Sequence, residues 1–303
     1  MQGILKRQNE PEMLKIQFVA KFFFNIAEKT NRWATYLALI PLLCLLPHAD
    51  SFDGIVTTLA VVIDILVGVL IFVTRRCVNY AADLRAYFDD CVLYASKAKL
   101  NNKLTDLVYR VVRVFSKRAE IAVSNTGSDT PPGVRDWYGL KTASDYNDAV
   151  VKCLNENRWW DEKLNIHRVI STAIFLGVVV ALTVIFVFAV GVKWHLVLLA
   201  VIQLIMRLSE RLVANIKYYN ATERLKGAYD VLDRSHTRAN QKSVQEAVDA
   251  RRHISVLGSN WWHTKRAHEL SEQYDNTRAQ KEITKEAGQG QKPRSAFLFS
   301  RAL

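Results

Sequence analysis

Four long apolar runs, arranged as two close pairs, dominate the pattern of hydrophobic and polar positions along this chain. They cover residues 33–47, 55–74, 169–192 and 194–206. The third run holds 24 residues without a charge, and a helix needs about 20 apolar residues to cross the hydrocarbon core of a bilayer. Because the connection within each pair is too short for a domain, the pattern predicts an all-α membrane protein with two transmembrane helical hairpins, hence four spans.

Apolar residues recur at helical spacing beyond the second and fourth spans, so both are predicted to continue as helical cytoplasmic extensions. The fourth span is short, and we expect its helix to pass Arg207 with the guanidinium reaching toward the lipid headgroups. The chain is therefore predicted to divide into six segments. They are a cytoplasmic N-terminal amphipathic helix (1–32), a first hairpin (33–74), a cytoplasmic helical region with ligand-sensing motifs (75–168), a second hairpin (169–206), a cytoplasmic C-terminal helical region (207–287) and a flexible tail (288–303).

Lys and Arg side chains cluster on the outer flanks of the spans, whereas Lys193 is the one such residue in the tight loops inside the hairpins. Loops rich in Lys and Arg stay on the cytoplasmic side of a membrane. Both termini and both large polar segments are therefore predicted to be cytoplasmic. Part of the formal net charge of +12 reflects this topology, so a basic chain does not by itself indicate a DNA or RNA partner.

Asp64 and Gln203 are the polar residues that stand out inside the spans. An ionisable group in the middle of a span costs roughly 2.5–3.5 kcal/mol and usually faces a bundle interior or a water-filled path. Asp64 is therefore a candidate pore-lining residue, and Gln203 is a weaker one. The alternative is structural, with a protonated Asp64 bonded to Thr57, Thr58 or a neighbouring helix, and an interhelical hydrogen bond for Gln203.

Residues 103–121 have the pattern of an amphipathic helix whose apolar face includes Val108 and Val111. Arg110 and Arg113 lie on another face, where they can hold phosphate groups or lipid headgroups. A solvated outer face is the alternative, since most charge runs on helices have that role.

Aromatic and charged side chains gather in two later segments, 132–138 and 157–164. Rings beside fixed cations suit a nucleotide, because a base stacks on Trp or Tyr while Arg binds phosphate oxygens through paired hydrogen bonds. Membrane anchoring or plain packing is the alternative for Trp159 and Trp160, which lie shortly before the third span. The candidate ligand-binding residues of the two segments are Arg135, Trp137, Tyr138, Arg158, Trp159, Trp160 and Lys163.

Sequence motifs of enzymes and metal sites are missing from the chain. GxxxxGK[ST], HExxH and GxSxG do not occur. Cys44, Cys77, Cys91 and Cys153 form no CxxC pair, so neither a disulfide nor a zinc site is expected. We expect no cofactor and no enzymatic activity.

The order of spans and motifs resembles one known family. Arg7-Gln-Asn-Glu10 leads into an amphipathic helix and a hairpin, and Val134-Arg-Asp-Trp-Tyr138 and Trp159-Trp-Asp-Glu-Lys-Leu164 precede a second hairpin. This order is similar to that of the SMODS-associated four-transmembrane effectors. These are predicted pore-forming proteins encoded beside bacterial nucleotidyltransferases in cyclic-oligonucleotide antiviral signalling.

The resemblance implies a membrane-disrupting effector that stays quiet until a cytoplasmic signal nucleotide arrives. We therefore predict a multi-pass protein of the bacterial inner membrane that binds a cyclic oligonucleotide made by a neighbouring nucleotidyltransferase, and no DNA or RNA polymer. A homo-oligomer is expected, because four helices are too few to enclose a water path easily. The main alternative is a non-conducting membrane scaffold or partner subunit whose cytoplasmic helices bind protein; a small transporter fits less well, because neither broken spans nor inverted repeats are evident.

Overall fold

The computed structural model describes residues 2–41, 53–97, 99–139, 145–190 and 194–254. Regular structure in these ranges is helical apart from an isolated bridge between Thr126 and Arg135, which confirms the predicted all-α class. The helices are α1 (Gln2–Gln8), α2 (Pro11–Leu37), α3 (Asp53–Tyr94), α4 (Asn102–Val114), α5 (Ser116–Ser124), α6 (Tyr146–Val190), α7 (Trp194–Arg234) and α8 (Arg238–Arg252).

The second apolar run and its extension form one uninterrupted helix, α3, of 42 residues. The half of α3 beyond Thr74 keeps an apolar face on which Leu84 and Phe88 are buried. Similarly, α7 passes Arg207 and continues to Arg234 without a break. The predicted continuation of both apolar runs as helices is therefore confirmed.

Among the described residues, one helix is long and apolar enough to cross a membrane, the 38-residue stretch Thr57–Tyr94 of α3. A shorter apolar helix, Val169–Ile185, lies within α6. The second half of the predicted first span and the turn at Lys193 fall outside the described residues. The count of four spans therefore stays a prediction.

The apolar helices expose large hydrophobic side chains on their outer surfaces. Ile65 of α3 is 62% exposed, and Phe188 of α6 is 85% exposed. A water-soluble domain rarely exposes so continuous an apolar surface, whereas helices embedded in lipid do so by necessity. Together with the length of α3, this surface indicates a membrane protein. The other exposed hydrophobic side chains of this surface include Ile55, Leu59, Val62, Leu66, Val69, Phe72, Ile170, Ile174, Leu182, Ile185 and Met206.

The apolar parts of these helices form what we call the apolar layer. Within it, a small apolar core joins α2, α3 and α7. Ala34 and Ala38 at the end of α2 face Val67 of α3 and Leu204 of α7 in this cluster. Small side chains allow helix backbones to approach closely, which is how helices without a hydrophobic driving force associate in lipid.

Arg207 lies at one end of the apolar layer and is buried, with 6% of its surface exposed. Its Nη2 donates to Asn31 Oδ1 of α2, and its Nη1 donates to Glu210 Oε2 at 3.1 Å. Glu210 also pairs with Arg75 of α3. The expectation that Arg207 reaches the headgroups is therefore wrong, because its guanidinium is engaged between helices.

Outside the apolar layer, the described helices share a larger core, which we call the helical body. The predicted amphipathic helix 103–121 belongs to it, but its chain bends at Phe115 (φ −111°, ψ 38°) and so forms α4 and α5. Val108 and Val111 are buried as expected. At this bend the ring of Phe115 packs against Phe22 of α2 with centroids 4.7 Å apart.

Candidate functional site

Asp89 forms the polar centre of the helical body. It lies on α3 and is fully buried. The Tyr138 hydroxyl donates to its Oδ1 at 2.6 Å, and Arg252 Nη1 and Gln245 Nε2 of α8 donate to its Oδ2 at 2.6 Å and 3.3 Å. A buried carboxylate is stable only when paired and hydrogen-bonded. Asp89 therefore ties the loop before α6 and the helix α8 to α3.

The loop of residues 125–139, which we call the sensing loop only after the role predicted for it from the sequence, is fixed to α1 and the following Asn9 by hydrogen bonds. The backbone N–H of Tyr138 donates to Gln8 Oε1 at 2.9 Å. Asn9 Nδ2 donates to Asp136 Oδ1 at 2.7 Å, and the backbone N–H of Asp136 donates to Asn9 Oδ1 at 3.1 Å. The motif at residues 7–10 and the motif at residues 134–138 are therefore two halves of one structural unit.

The second half of the sensing loop folds back on the end of α5. The backbone N–H of Val134 donates to Ala122 O at 2.8 Å, and that of Arg135 donates to Asn125 O at 3.0 Å. Gly133 lies so close to this helix end that a Cβ atom there would meet Asn125 O at 1.8 Å. The loop can adopt this course because residue 133 has no side chain.

Arg85 and Lys21 lie on the inner side of the sensing loop. The Arg85 guanidinium carbon lies 3.9 Å from the centroid of the Trp137 ring and 5.8 Å from that of Phe24. Lys21 Nζ donates to Pro132 O at 2.6 Å and to Gly133 O at 3.1 Å. Burial and the nearby Arg85 lower the pKa of Lys21. Two cations therefore meet beneath one loop.

The Asp89 cluster also changes the protonation of its neighbours. Burial, and then the negative charge of Asp89, raise the pKa of the Tyr138 hydroxyl well above its ordinary value, so this group remains a hydrogen-bond donor. Burial raises the pKa of Asp249 to about 6, although Arg252 opposes this shift. Asp249 Oδ1 accepts from Gln245 Nε2 at 3.0 Å and from Arg252 Nη1 at 3.3 Å.

We expect Asp249→Asn to change the pH dependence of stability. Because the pKa of Asp249 is raised in the folded protein, the folded state holds more protons than the unfolded state between about pH 4 and pH 6. Its contribution to stability therefore falls as pH rises through that window and stays low above it. The variant lacks this loss, which amounts to about 1–3 kcal/mol.

The measurement compares the free energies of unfolding of wild type and Asp249→Asn in detergent from pH 4.5 to pH 7.5. Asp233→Asn on the exposed side of α7 makes the same chemical change without burial and is the matched control. Parallel pH profiles for wild type and Asp249→Asn would contradict the assignment of a buried, protonating carboxyl.

The structure disperses the predicted ligand-binding residues. Arg110 and Arg113 are exposed on α4. With Asp106, Tyr109 and Val112 they line an open pocket with a volume of about 560 Å³. In the sensing loop, Arg135 is exposed, Trp137 is half-buried and Tyr138 has 1% of its surface exposed. Both faces of the Tyr138 ring are thus covered in this state. Four further candidates lie on α6, where the structure describes the backbone but not their side chains: Arg158, Trp159, Trp160 and Lys163.

Of the predicted pore residues, Asp64 is half-buried on α3. Its Oδ1 is buried and has no hydrogen-bond partner within the described part of the chain. Thr58, a suggested partner, donates instead to Gly54 O of its own helix at 2.8 Å. The Gln203 side chain lies outside the described residues.

A model of the family described as the SMODS-associating 4TM effector domain matches residues 2–281. The chain belongs to this family. The predicted family is therefore confirmed, and the matched range includes α1, the sensing loop, the apolar helices and α8. The association with SMODS implies a cyclic-oligonucleotide signal from a partner synthase. No curated protein and no solved structure matches the chain significantly.

Sequence reasoning did not identify several residues that organise this effector. Asp89 and Arg85 are one helical turn apart on the extension of the second apolar run, where a charged pair beside the apolar Leu84 and Phe88 could have drawn attention. The role of Lys21 had no comparable signal, since its partners are backbone carbonyls of the sensing loop. Arg252 also carries no local pattern that sets it apart from Arg251.

Proposed function

We propose that this effector is a multi-pass protein of the bacterial inner membrane, with both termini in the cytoplasm. On binding a cyclic oligonucleotide it oligomerises, opens a pore and dissipates ion gradients, which arrests or kills an infected cell. The proposal joins the family membership to the continuity of α3, which carries both the apolar run and the Asp89 cluster.

The continuity of α3 supports the proposal, because one helix joins the Asp89 cluster to the apolar run. Asp89 lies about four helical turns beyond Thr74 on the same unbroken helix. A movement of the sensing loop or of α8 at Asp89 is thereby transmitted to the apolar half of α3 as a tilt or rotation. A ligand achieves this only if it binds the open state more tightly than the closed state.

Within this scheme the exposed parts of the sensing loop meet the ligand. Arg135 and the open side of Trp137 offer a cation and a ring surface, and Arg110 and Arg113 offer further phosphate contacts on α4. The segment with Arg158, Trp159, Trp160 and Lys163 is proposed to contribute from α6. Tyr138 acts by holding the loop to Asp89.

For the pore, we propose that Asp64 faces the water path of the oligomer, with Gln203 beside it. The buried Oδ1 of Asp64 without a partner in the described chain supports this role, because an unpaired carboxyl oxygen in an apolar layer is costly. Several protomers would place Asp64 side chains in a ring, an arrangement that favours cations.

Dye release from liposomes containing the purified protein tests the proposal. We expect release when a cognate cyclic oligonucleotide is added and none without it. Asp64→Asn is expected to retain ligand-dependent opening but to lose cation preference, measured as a shift in reversal potential in planar bilayers. If no member of a broad cyclic-nucleotide panel binds or causes release, and a specific protein is bound instead, the non-conducting scaffold is the better description.

A further inference from the structure

The inner side of the sensing loop carries a pair of cations that no acidic side chain neutralises directly. Arg85 forms no hydrogen bond or ion pair with any residue in the described ranges, and its Nε is buried without a partner there. We propose that Arg85 and Lys21 form a phosphate-binding site, closed on one side by Trp137. The site deepens the proposed function, on which it rests, by locating the phosphate of the signal nucleotide.

The local charge balance favours an anion at this place. Asp89 is the acidic group of α3 that faces Arg85, but its two oxygens are already engaged by Tyr138 and by Arg252 with Gln245. Neither oxygen is hydrogen-bonded to Arg85 in the described structure. A buried guanidinium without a hydrogen-bonded counter-ion is costly, and a phosphate group would remove that cost for both cations.

The two side chains are held in position before any ligand arrives. The Arg85 guanidinium carbon lies 3.9 Å from the Trp137 ring centroid and 5.8 Å from that of Phe24, and a guanidinium offers a fork of N–H donors that matches phosphate oxygens. Lys21 Nζ uses two of its three N–H donors on Pro132 O and Gly133 O. Its third donor has no partner in the described part of the chain, so it is available to the same anion.

The site is also reachable and connected to α3. Lys21, Arg85 and Trp137 each keep part of their surface exposed, although the Nε atom of Arg85 is enclosed. A phosphodiester could bind the cations while its base rests on the sensing loop near Arg135. Because Arg85 lies one turn before Asp89 on α3, binding there acts directly on the helix that enters the apolar layer.

Calorimetric titration of the full-length protein in detergent tests the site. The probes are cyclic di-AMP, cyclic GMP–AMP, cyclic tri-AMP and, as a phosphate-only probe, inorganic pyrophosphate. We expect Lys21→Gln and Arg85→Gln each to weaken binding by about 10-fold to 100-fold, the usual effect of losing one charged hydrogen bond. Lys21→Arg keeps the positive charge but differs in shape, so it should weaken binding less than Lys21→Gln does.

Matched controls come from the same helical body. Lys29→Gln removes an exposed cation from α2, and Arg118→Gln removes an exposed arginine that also lies over a phenylalanine ring, Phe115, at 5.8 Å. Both should change affinity by less than about 2-fold. Thermal midpoints of all variants separate loss of the site from loss of the fold, and Lys21→Gln serves if Arg85→Gln does not fold.

The outcomes separate this inference from the proposed function. A wild type that binds a cyclic oligonucleotide, with Lys21→Gln binding equally well, overturns the site but leaves nucleotide sensing intact. Binding of pyrophosphate alone, weakened by Lys21→Gln, supports the phosphate site and counts against nucleotide sensing. Binding of no probe overturns both.

Discussion

Replacing Asp89 with alanine is expected to lower the free energy of unfolding by about 3–5 kcal/mol, the usual cost of removing one partner of a buried ion pair. Arg252, whose side chain is 9% exposed, would be left with Asp249 as its acidic partner, and the Tyr138 hydroxyl would lose the acceptor that it contacts at 2.6 Å. Denaturant unfolding of the purified protein in detergent, followed by tryptophan fluorescence, measures the loss. The same change should release the sensing loop and α8 from α3.

The matched control is Asp83→Ala, an earlier position on the same helix. Asp83 Oδ1 pairs with His253 Nε2 at 2.9 Å, but the two side chains are 46% and 41% exposed, and a surface pair of this kind is worth only about 0–1 kcal/mol. If Asp89→Ala costs no more than Asp83→Ala, Asp89 does not hold the helical body together.

A double replacement sharpens the interpretation. If the cost of Asp89→Ala comes from leaving a cation buried, then Asp89→Leu combined with Arg252→Met should be less destabilising than the sum of the two single changes. The expected coupling is about 1–3 kcal/mol. Additive effects would show that the two side chains act independently of their ion pair.

The long helices could be predicted from the sequence because their signal is local. Uninterrupted apolar stretches and helical spacing beyond them determine α3 and α7, and no distant contact is needed to recognise either. The bend at Phe115 was not predictable in the same way. It coincides with the packing of that ring against Phe22, a contact between residues far apart in the chain.

The Asp89 cluster lay beyond sequence reasoning for the same physical reason. Its hydrogen bond to Arg252 joins residues separated by 163 positions, and no periodic pattern encodes such a pairing. Tyr138 was identified as important because of its neighbours in the sequence, but an aromatic residue in a motif gives no indication of whether its ring is exposed. Here its hydroxyl reaches Asp89, while the half-buried Trp137 keeps contact with solvent.

The arrangement of charges suggests how signal and response are separated. Asp89 holds the sensing loop to α3 through the Tyr138 hydroxyl, whereas Arg85, one turn away on the same helix, has a buried Nε without a hydrogen-bond partner in the described chain. An anion that engages Arg85 and Lys21 therefore changes the balance of charge beside Asp89 without competing for its oxygens. In the proposed function, the response depends on how much more tightly the open state holds that anion than the closed state does.

Gly133→Ala is expected to displace the sensing loop and to abolish ligand-dependent dye release. The new Cβ would lie 1.8 Å from Asn125 O and 2.7 Å from Ala122 O, and both are backbone atoms that cannot turn aside as a side chain can. Relief requires the loop to move away from α5, which breaks the Lys21 contacts to Pro132 and Gly133. The free energy of unfolding should fall by about 1–3 kcal/mol, the usual cost of overpacking.

Gly127→Ala is the matched control, because it adds the same methyl group to the same loop where no atom lies within 4 Å. It should change the free energy of unfolding by less than about 0.5 kcal/mol and leave dye release intact. Protease sensitivity of the sensing loop provides an independent measure, with faster cleavage expected for Gly133→Ala alone. Equal behaviour of the two variants would show that close packing at residue 133 does not position the loop, and the phosphate site beneath it would lose its structural basis.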